Sequence, residues 1–220
     1  MNIEIIRSRR KTLALHFSDS KGVVVRAPLR AKLQQIETFI ADNGHWIEHH
    51  RQLLEKYPGL PESNYCHGGF LYLQGIKRTI IVTKANKAKV TLNDDSIVFE
   101  LKKQNVNYVS GYIERWKRTY AEKYFEKLTA DLHRNAVVDL PPYTFSVRKM
   151  KRQWGNCSHS GHIKLSVRLI RYPEACIRHV IFHELTHLKH FNHGARFYGL
   201  LSRLNPTWQE DKDLLSHFSG

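Results

Sequence analysis

The sequence predicts an α+β fold in which a β-rich amino-terminal part, residues 1–102, is followed by a helix-containing part, residues 103–220. Short runs of β-forming residues dominate the first hundred positions. Over much of the remainder, apolar residues recur every three or four positions, which is the period of a helix. With 220 residues, of which 41% are hydrophobic, the chain can bury a substantial core in one large or two small domains.

The first part is predicted to contain short strands and one helical segment. Residues 33–54 have helical spacing, with an interruption at Asn43-Gly44 and an end at Tyr57-Pro58. Lys21-Gly22 predicts a turn between the second and third strands. The predicted strands span residues 3–7, 12–17, 23–26, 70–73, 79–83, 89–92 and 97–101.

The second part is predicted to be mainly helical. Residues 106–133 form a long amphipathic pattern, with charged residues between the apolar positions. Residues 144–149 and 163–167 are predicted to be strands on either side of a connection that contains Gly and Ser. Pro173 occupies the kind of position where helices start. Three further helices are then expected over residues 174–190, over residues 195–204 and after Pro206.

One segment, His183-Glu184-Leu185-Thr186-His187, has the spacing of a metal site on a helix. Residues four apart project from the same helix face about one turn apart, so both imidazoles can reach one ion. A catalytic zinc site has three protein ligands and one open position. The pattern therefore predicts Zn2+ and requires a third ligand, whereas the alternative is a chance pattern with both histidines packed in the core.

His193 is predicted to be the third metal ligand. It lies six residues after the second histidine, and the residues between them allow the helix to end and the chain to turn back. Asn192 and Gly194 tolerate the left-handed backbone that such a turn can use. His179 and His190 lie close by in sequence, and we assign them packing or supporting roles rather than direct ligation.

Glu184 is predicted to be the general base. It is adjacent to the first histidine and so points away from the ligand direction, close enough to reach a water at the metal. It would take a proton from that water as a peptide carbonyl is attacked, and return the proton to the leaving amine. The predicted function is a zinc metallopeptidase with protein or peptide substrates.

Four motifs in a fixed order resemble those of a known family. They are WGNCS at 154–158, GHIKLS at 161–166, HELTH at 183–187 and NHGARFY at 192–198. Together they resemble the YgjP-like family of zincin metal-dependent hydrolases, which is related to SprT-like and WLM metalloproteases. The similarity extends over most of the chain, through RRKTL at 9–13, VRAP at 25–28 and His45-Trp46-Ile47.

The resemblance implies a compact zincin-like metalloprotease core with an HExxH active-site helix. It also implies metal-ligand roles for His183, His187 and His193 and a catalytic role for Glu184. These are the residues that the spacing argument selects independently.

The chain departs from the family pattern at two positions. The family usually has Ser where this chain has Asn156, and Asn where it has Ser166. A histidine six residues after HExxH also fits the metzincin spacing, but that pattern has Gly where this chain has His190. The YgjP-like assignment is therefore preferred.

The chain is strongly basic, with 35 Lys and Arg against 20 Asp and Glu and a formal net charge of +15. Such a charge favours anionic partners. Two interpretations stay open: a solvated surface, or contacts with a nucleic-acid backbone. The similarity to SprT-like and WLM proteases, which as families act on protein attached to DNA, favours nucleic acid. Basic clusters lie at residues 7–11, 26–32, 84–89, 115–118 and 148–152.

The cysteines and the lengths of the apolar runs indicate the cellular compartment of the protein. Cys66, Cys157 and Cys176 are odd in number and show no CxxC spacing, which argues against a disulfide framework or a four-cysteine zinc site. The amino terminus has no apolar stretch of signal-peptide type, and no run of about 18 apolar residues occurs. We therefore expect a cytoplasmic protein that does not span a membrane.

A second class of function is a non-catalytic nucleic-acid-binding protein whose zinc only stabilises the fold. Glu184 distinguishes the two classes, because a structural zinc site needs no carboxylate beside its first histidine and closes its fourth position with a protein ligand. The sequence offers no convincing fourth ligand. This favours the peptidase.

Overall fold

The structure, a computed structural model, describes residues 3–18, 22–56 and 60–218. The chain groups into two compact units, Met1–Leu60 with Lys212–Gly220, and Pro61–Asp211. Sheets and helices are both present, which confirms the predicted α+β class. The domain division between residues 102 and 103 stays a prediction; the compact units divide between residues 60 and 61. The predicted turn at Lys21-Gly22 and helix end at Tyr57-Pro58 involve residues outside the described set.

The first unit contains a three-stranded sheet and two helices. Its elements are β1 (Glu4–Ser8), β2 (Ala14–Ser18), β3 (Gly22–Pro28), α1 (Leu33–Asp42) and α2 (Gly44–Lys56). Strand β3 is central, parallel to β1 and antiparallel to β2. The two helices confirm the predicted interruption at Asn43-Gly44. Val25 and Ile36 are fully buried where β3 and α1 pack together.

The second unit starts with a four-stranded sheet in the order β4-β5-β7-β6, followed by a long helix. Its elements are β4 (Phe70–Leu73), β5 (Ile76–Lys84), β6 (Lys89–Leu92), β7 (Ser96–Leu101) and α3 (Val106–Arg134). The side chain of Asn105 caps α3 by accepting a hydrogen bond from the Tyr108 N–H at 2.9 Å. The rings of Phe99 and Trp116 lie 5.3 Å apart, edge to face, and join the sheet to the helix.

A second, smaller sheet carries the segment that precedes the metal-site helix. Its strands are β8 (Thr144–Arg148), β9 (Gly155–Cys157) and β10 (His162–Ser166), in the order β8-β10-β9. Strand β9 was not expected, because three residues with one glycine are too short to show a strand period. Gly161, at a φ of +73°, forms the turn that joins β9 to β10.

The remaining elements are helical. A short 3-10 helix, Val167–Arg171, precedes α4 (Glu174–His187), α5 (Ala195–Leu204) and α6 (Trp208–His217). Helix α4 was predicted to reach residue 190 but ends at His187, where the chain begins to turn. Ile177, Ile181 and Leu185 of α4 are fully buried. In the described part of the chain, no helix is long and apolar enough to cross a membrane.

Candidate metal centre

Helix α4 places two histidine rings side by side. The Nε2 atoms of His183 and His187 are 3.2 Å apart, and both residues are half-buried. This is the arrangement that a four-residue spacing on a helix produces. Because α4 is held by buried apolar residues along most of its length, these rings project from a fixed backbone.

The turn after α4 brings His193 to the same point. Its Nε2 lies 3.1 Å from the Nε2 of His183. One ring nitrogen from each of the three histidines lies within 4.8 Å of the others, so the group could hold a metal ion. Asn192 and Gly194 do not use the left-handed backbone that we expected: neither has a positive φ. The reversal instead uses a tight turn in which the Gly194 N–H donates to the Asn192 carbonyl at 2.8 Å.

His187 is oriented by a contact on the far side of its ring. Its Nδ1 lies 3.0 Å from the backbone carbonyl of His190, which fixes Nδ1 as the N–H donor and leaves Nε2 with a free lone pair. Burial lowers the pKa of His187, and the nearby His193 lowers it further. Both effects favour the neutral imidazole, which is the form that binds metals.

Phe197 of α5 forms an apolar floor beneath the three histidines. It is fully buried, and its ring centroid lies 5.0, 4.8 and 4.6 Å from those of His183, His187 and His193, respectively. Such contact on every ring restricts how far the rings can rotate. The side chain of Phe197 therefore supports the rings of all three histidines.

Glu184 packs against strand β9. A Cβ at position 155 would lie 2.7 Å from the Glu184 Oε1, so only glycine allows this approach. Glu184 is 4% exposed, and no described residue donates a hydrogen bond to its Oε2. Burial raises the pKa of its carboxyl to about 8. The carboxyl therefore holds a proton more tightly than an exposed glutamate does.

The neighbouring histidines have the supporting positions that the sequence suggested. His179 is buried on α4, with its ring centroid 6.3 Å from that of His183. His190 contributes its backbone carbonyl to His187. Among the described residues, neither histidine contributes a ring nitrogen to the metal-binding group.

Cys157 and Trp154 lie in or next to strand β9, whereas Cys176 lies in the core. Cys176 is fully buried. Cys157 on β9 is half-buried, and burial together with the nearby charge of Glu184 raises the pKa of its thiol to about 11. A thiol with this pKa is almost fully protonated at neutral pH, which argues against a role for Cys157 as a reactive regulatory group. Trp154 packs its ring edge to face against Tyr172 at 5.0 Å.

The two departures from the family pattern both lie on the small sheet. The Ser166 hydroxyl donates to the Met150 carbonyl at 3.2 Å. The Oδ1 of Asn156 is buried, and no described residue hydrogen-bonds to it. Neither residue belongs to the histidine group.

Sequence reasoning missed two features of this centre. One is the close approach of Gly155 to Glu184, for which the sequence carries no signal, because three residues with one glycine show no strand period. The other is Phe191, whose ring stacks on His159 at 3.9 Å and lies 6.1 Å from His187. No spacing rule joins positions 159 and 191, because they meet only through the fold.

Comparison with known proteins adds one family and one structure. The model of a family described as YgjP-like, metallopeptidase domain, matches residues 11–218. No curated protein sequence matches the chain significantly. Among solved structures, the chain is similar to the crystal structure of the metallopeptidase zymogen of Pyrococcus abyssi abylysin, with 20% identity and a TM-score of 0.34. That match covers 42% of this chain and 86% of the other.

Proposed function

The chain belongs to the YgjP-like metallopeptidase family, and from this premise we propose that it is a zinc peptidase with Glu184 as its general base. Family membership implies a metal-dependent peptidase that acts on proteins or peptides. The observation that carries the finer proposal is the convergence of three histidine nitrogens at the end of the helix that also holds the deeply buried carboxyl of Glu184.

The donor set fits zinc. Three neutral imidazole nitrogens, from His183, His187 and His193, are ligands that a catalytic zinc site uses. Three lone pairs within 4.8 Å of one another also repel unless a cation lies between them. When bound, the metal would supply Lewis-acid chemistry, polarising the peptide carbonyl and increasing the acidity of a water molecule.

The remaining chemistry falls to Glu184. No described residue donates a hydrogen bond to its Oε2, so this oxygen can accept a proton from the attacking water. The same carboxyl can then donate that proton to the leaving amine. Gly155 keeps this carboxyl in place because the strand backbone packs directly against it.

The alternative, a zinc site that only stabilises a nucleic-acid-binding protein, fits these residues less well. A structural zinc site has four protein ligands, whereas the group found in the described chain has three members. A buried carboxyl without a hydrogen bond destabilises the fold, so its presence beside the histidines favours a catalytic role.

Association with nucleic acid is the second part of the proposal. It is supported by the formal net charge of +15, which would draw a polyanion towards the protein. Nucleic acid would then hold a protein substrate near the site and raise its effective concentration.

The test is Glu184→Gln, assayed for proteolysis of a denatured protein and for zinc by elemental analysis. The amide has nearly the shape of the carboxyl but cannot take a proton, so we expect activity to fall about 100-fold or more while zinc is retained. Glu126→Gln, on the exposed surface of α3, is the matched control and should keep full activity. Equal turnover by Glu184→Gln and the wild type would exclude Glu184 as the base.

A further inference from the structure

The segment that forms the small sheet is free of acidic residues. Between Asp139 and Glu174, the 34 residues 140–173 contain no Asp or Glu. They contain seven Lys and Arg: Arg148, Lys149, Lys151, Arg152, Lys164, Arg168 and Arg171. The positive charge of the chain is therefore locally unbalanced where β8, β9 and β10 lie.

One face of this sheet gathers the polar side chains. Lys164 of β10 is in register with Ser146 of β8 and with Asn156 of β9. The two ring nitrogens of His162 lie 2.7 Å from the Thr144 hydroxyl and 2.9 Å from the Ser146 hydroxyl, so these side chains share that face. Because alternate residues of a strand point to opposite sides, Arg148 joins them.

The opposite face of the same sheet faces the candidate active site. Gly155, which packs against Glu184, is in register with the fully buried Leu165. Leu165 and Lys164 are adjacent in β10 and so point to opposite sides. The sheet therefore separates the proposed catalytic carboxyl from the cationic side chains.

The loop after β8 adds further cations at one end of this face. It is held by two contacts: the Ser166 hydroxyl donates to the Met150 carbonyl at 3.2 Å, and Arg168 donates to the Lys151 carbonyl at 2.9 Å. Lys149, Lys151 and Arg152 are exposed. We call the six residues of this surface the cationic face: Arg148, Lys149, Lys151, Arg152, Lys164 and Arg168.

The described residues do not neutralise the cationic face. In the described part of the chain, none of its six residues forms an ion pair with a carboxylate. Elsewhere, cations such as Arg118 on α3 are paired with a glutamate at 3.0 Å. Unpaired cations beside serine and threonine hydroxyls are the groups that contact phosphate oxygens.

We propose that the cationic face binds the phosphodiester backbone of a nucleic acid. The assignment rests on the proposed association with nucleic acid, and it locates that association on the side of the sheet opposite Glu184. Nucleic acid would be bound on one face while a peptide is cleaved on the other. Binding and cleavage are therefore separable by mutation.

The test compares Arg148→Gln/Lys164→Gln with Lys123→Gln/Lys127→Gln, an exposed pair on α3. Both double variants lower the net charge by two. The probes are a labelled DNA duplex and a labelled single-stranded RNA, each about 20 nucleotides long, and affinity is measured against salt concentration. We expect the face variant to bind about tenfold more weakly. Two lost phosphate contacts should reduce the salt slope by about 1.8 on the DNA duplex and by about 1.4 on the single-stranded RNA, at about 0.9 and about 0.7 per contact. The α3 variant should change neither.

As controls, zinc content and cleavage of a free peptide should be unchanged in both double variants. Such a result would establish that the variant proteins are folded. Lys151→Gln/Arg152→Gln provides a second, independent loss of binding. If the face variant and the α3 variant weakened binding of the probes equally, the cationic face would be excluded as the binding surface. General association with nucleic acid would still stand. No binding of either probe by the wild type at about 50 mM salt would overturn both, and preferential binding to anionic vesicles would reassign the face to lipid. The peptidase assignment survives each of these results.

Discussion

Gly155 determines how closely the small sheet approaches Glu184. A Cβ at this position would lie 2.7 Å from the Glu184 Oε1 and 2.9 Å from its Cγ. Such distances force one group to move, and overpacking of this kind costs about 1–3 kcal/mol. Because Glu184 is 4% exposed, its carboxyl has little space to move into.

Gly155→Ala is therefore expected to lower peptidase activity about tenfold or more while zinc stays bound, since the atoms nearest to the added methyl all belong to Glu184, the proposed general base. The measurements are kcat on a peptide substrate and zinc content. Gly199→Ala is the control, because a Cβ there meets no atom within 4 Å. Full activity in Gly155→Ala would mean that the position of the carboxyl against β9 is unimportant for hydrolysis.

Helix α5 contacts the candidate metal centre through one ring, that of Phe197. Phe197 contacts all three histidine rings at centroid distances of 4.6–5.0 Å, and it is fully buried. Helix α5 also starts directly after the turn that carries His193. Displacing this helix would therefore move the third histidine and loosen the other two.

Phe197→Leu should weaken zinc binding about tenfold, the size of effect that groups supporting metal ligands produce. Its stability cost, of about 1–2 kcal/mol, should resemble that of Phe125→Leu, which replaces a fully buried phenylalanine of α3. Urea unfolding measures the stability of both variants, and competition with a chelator measures their zinc affinity. If the two variants retain equal zinc affinity, Phe197 acts only through general packing.

For the whole molecule, metal binding and folding should be coupled. The proposed ligands come from α4 and from the turn after it, so an unfolded chain does not hold them together. A ligand that binds only the folded state stabilises it by about 4 kcal/mol when its concentration is 1,000 times the dissociation constant.

Removal of zinc with a chelator should accordingly lower the Tm by about 10 °C, since 1 kcal/mol corresponds to about 2–4 °C at this chain length. Scanning calorimetry of the protein with and without chelator measures the shift. His193→Ala should hold little zinc and melt at nearly the same temperature in both conditions. A wild-type Tm unaffected by the chelator would show that the three histidines hold no stabilising metal.

The features that the sequence determined by itself are those with a local physical cause. The pairing of His183 with His187 follows from the pitch of a helix, and the interruption at Asn43-Gly44 from weak helix formers. Most strands and helices were also located from their period, with ends shifted by a few residues, because the hydrophobic pattern fixes an element more firmly than its ends. The roles of the three histidines and Glu184 stay predictions that the proposed experiments test.

Tertiary structure decided whatever depends on residues that meet across the fold. The approach of Gly155 to Glu184 and the stacking of Phe191 on His159 have no signature in spacing. The same is true of the cationic face, whose charges come from two strands, a loop and the 3-10 helix. Each of these features depends on distances between elements far apart in sequence, and such distances are set by the packing of the core rather than by local backbone preference.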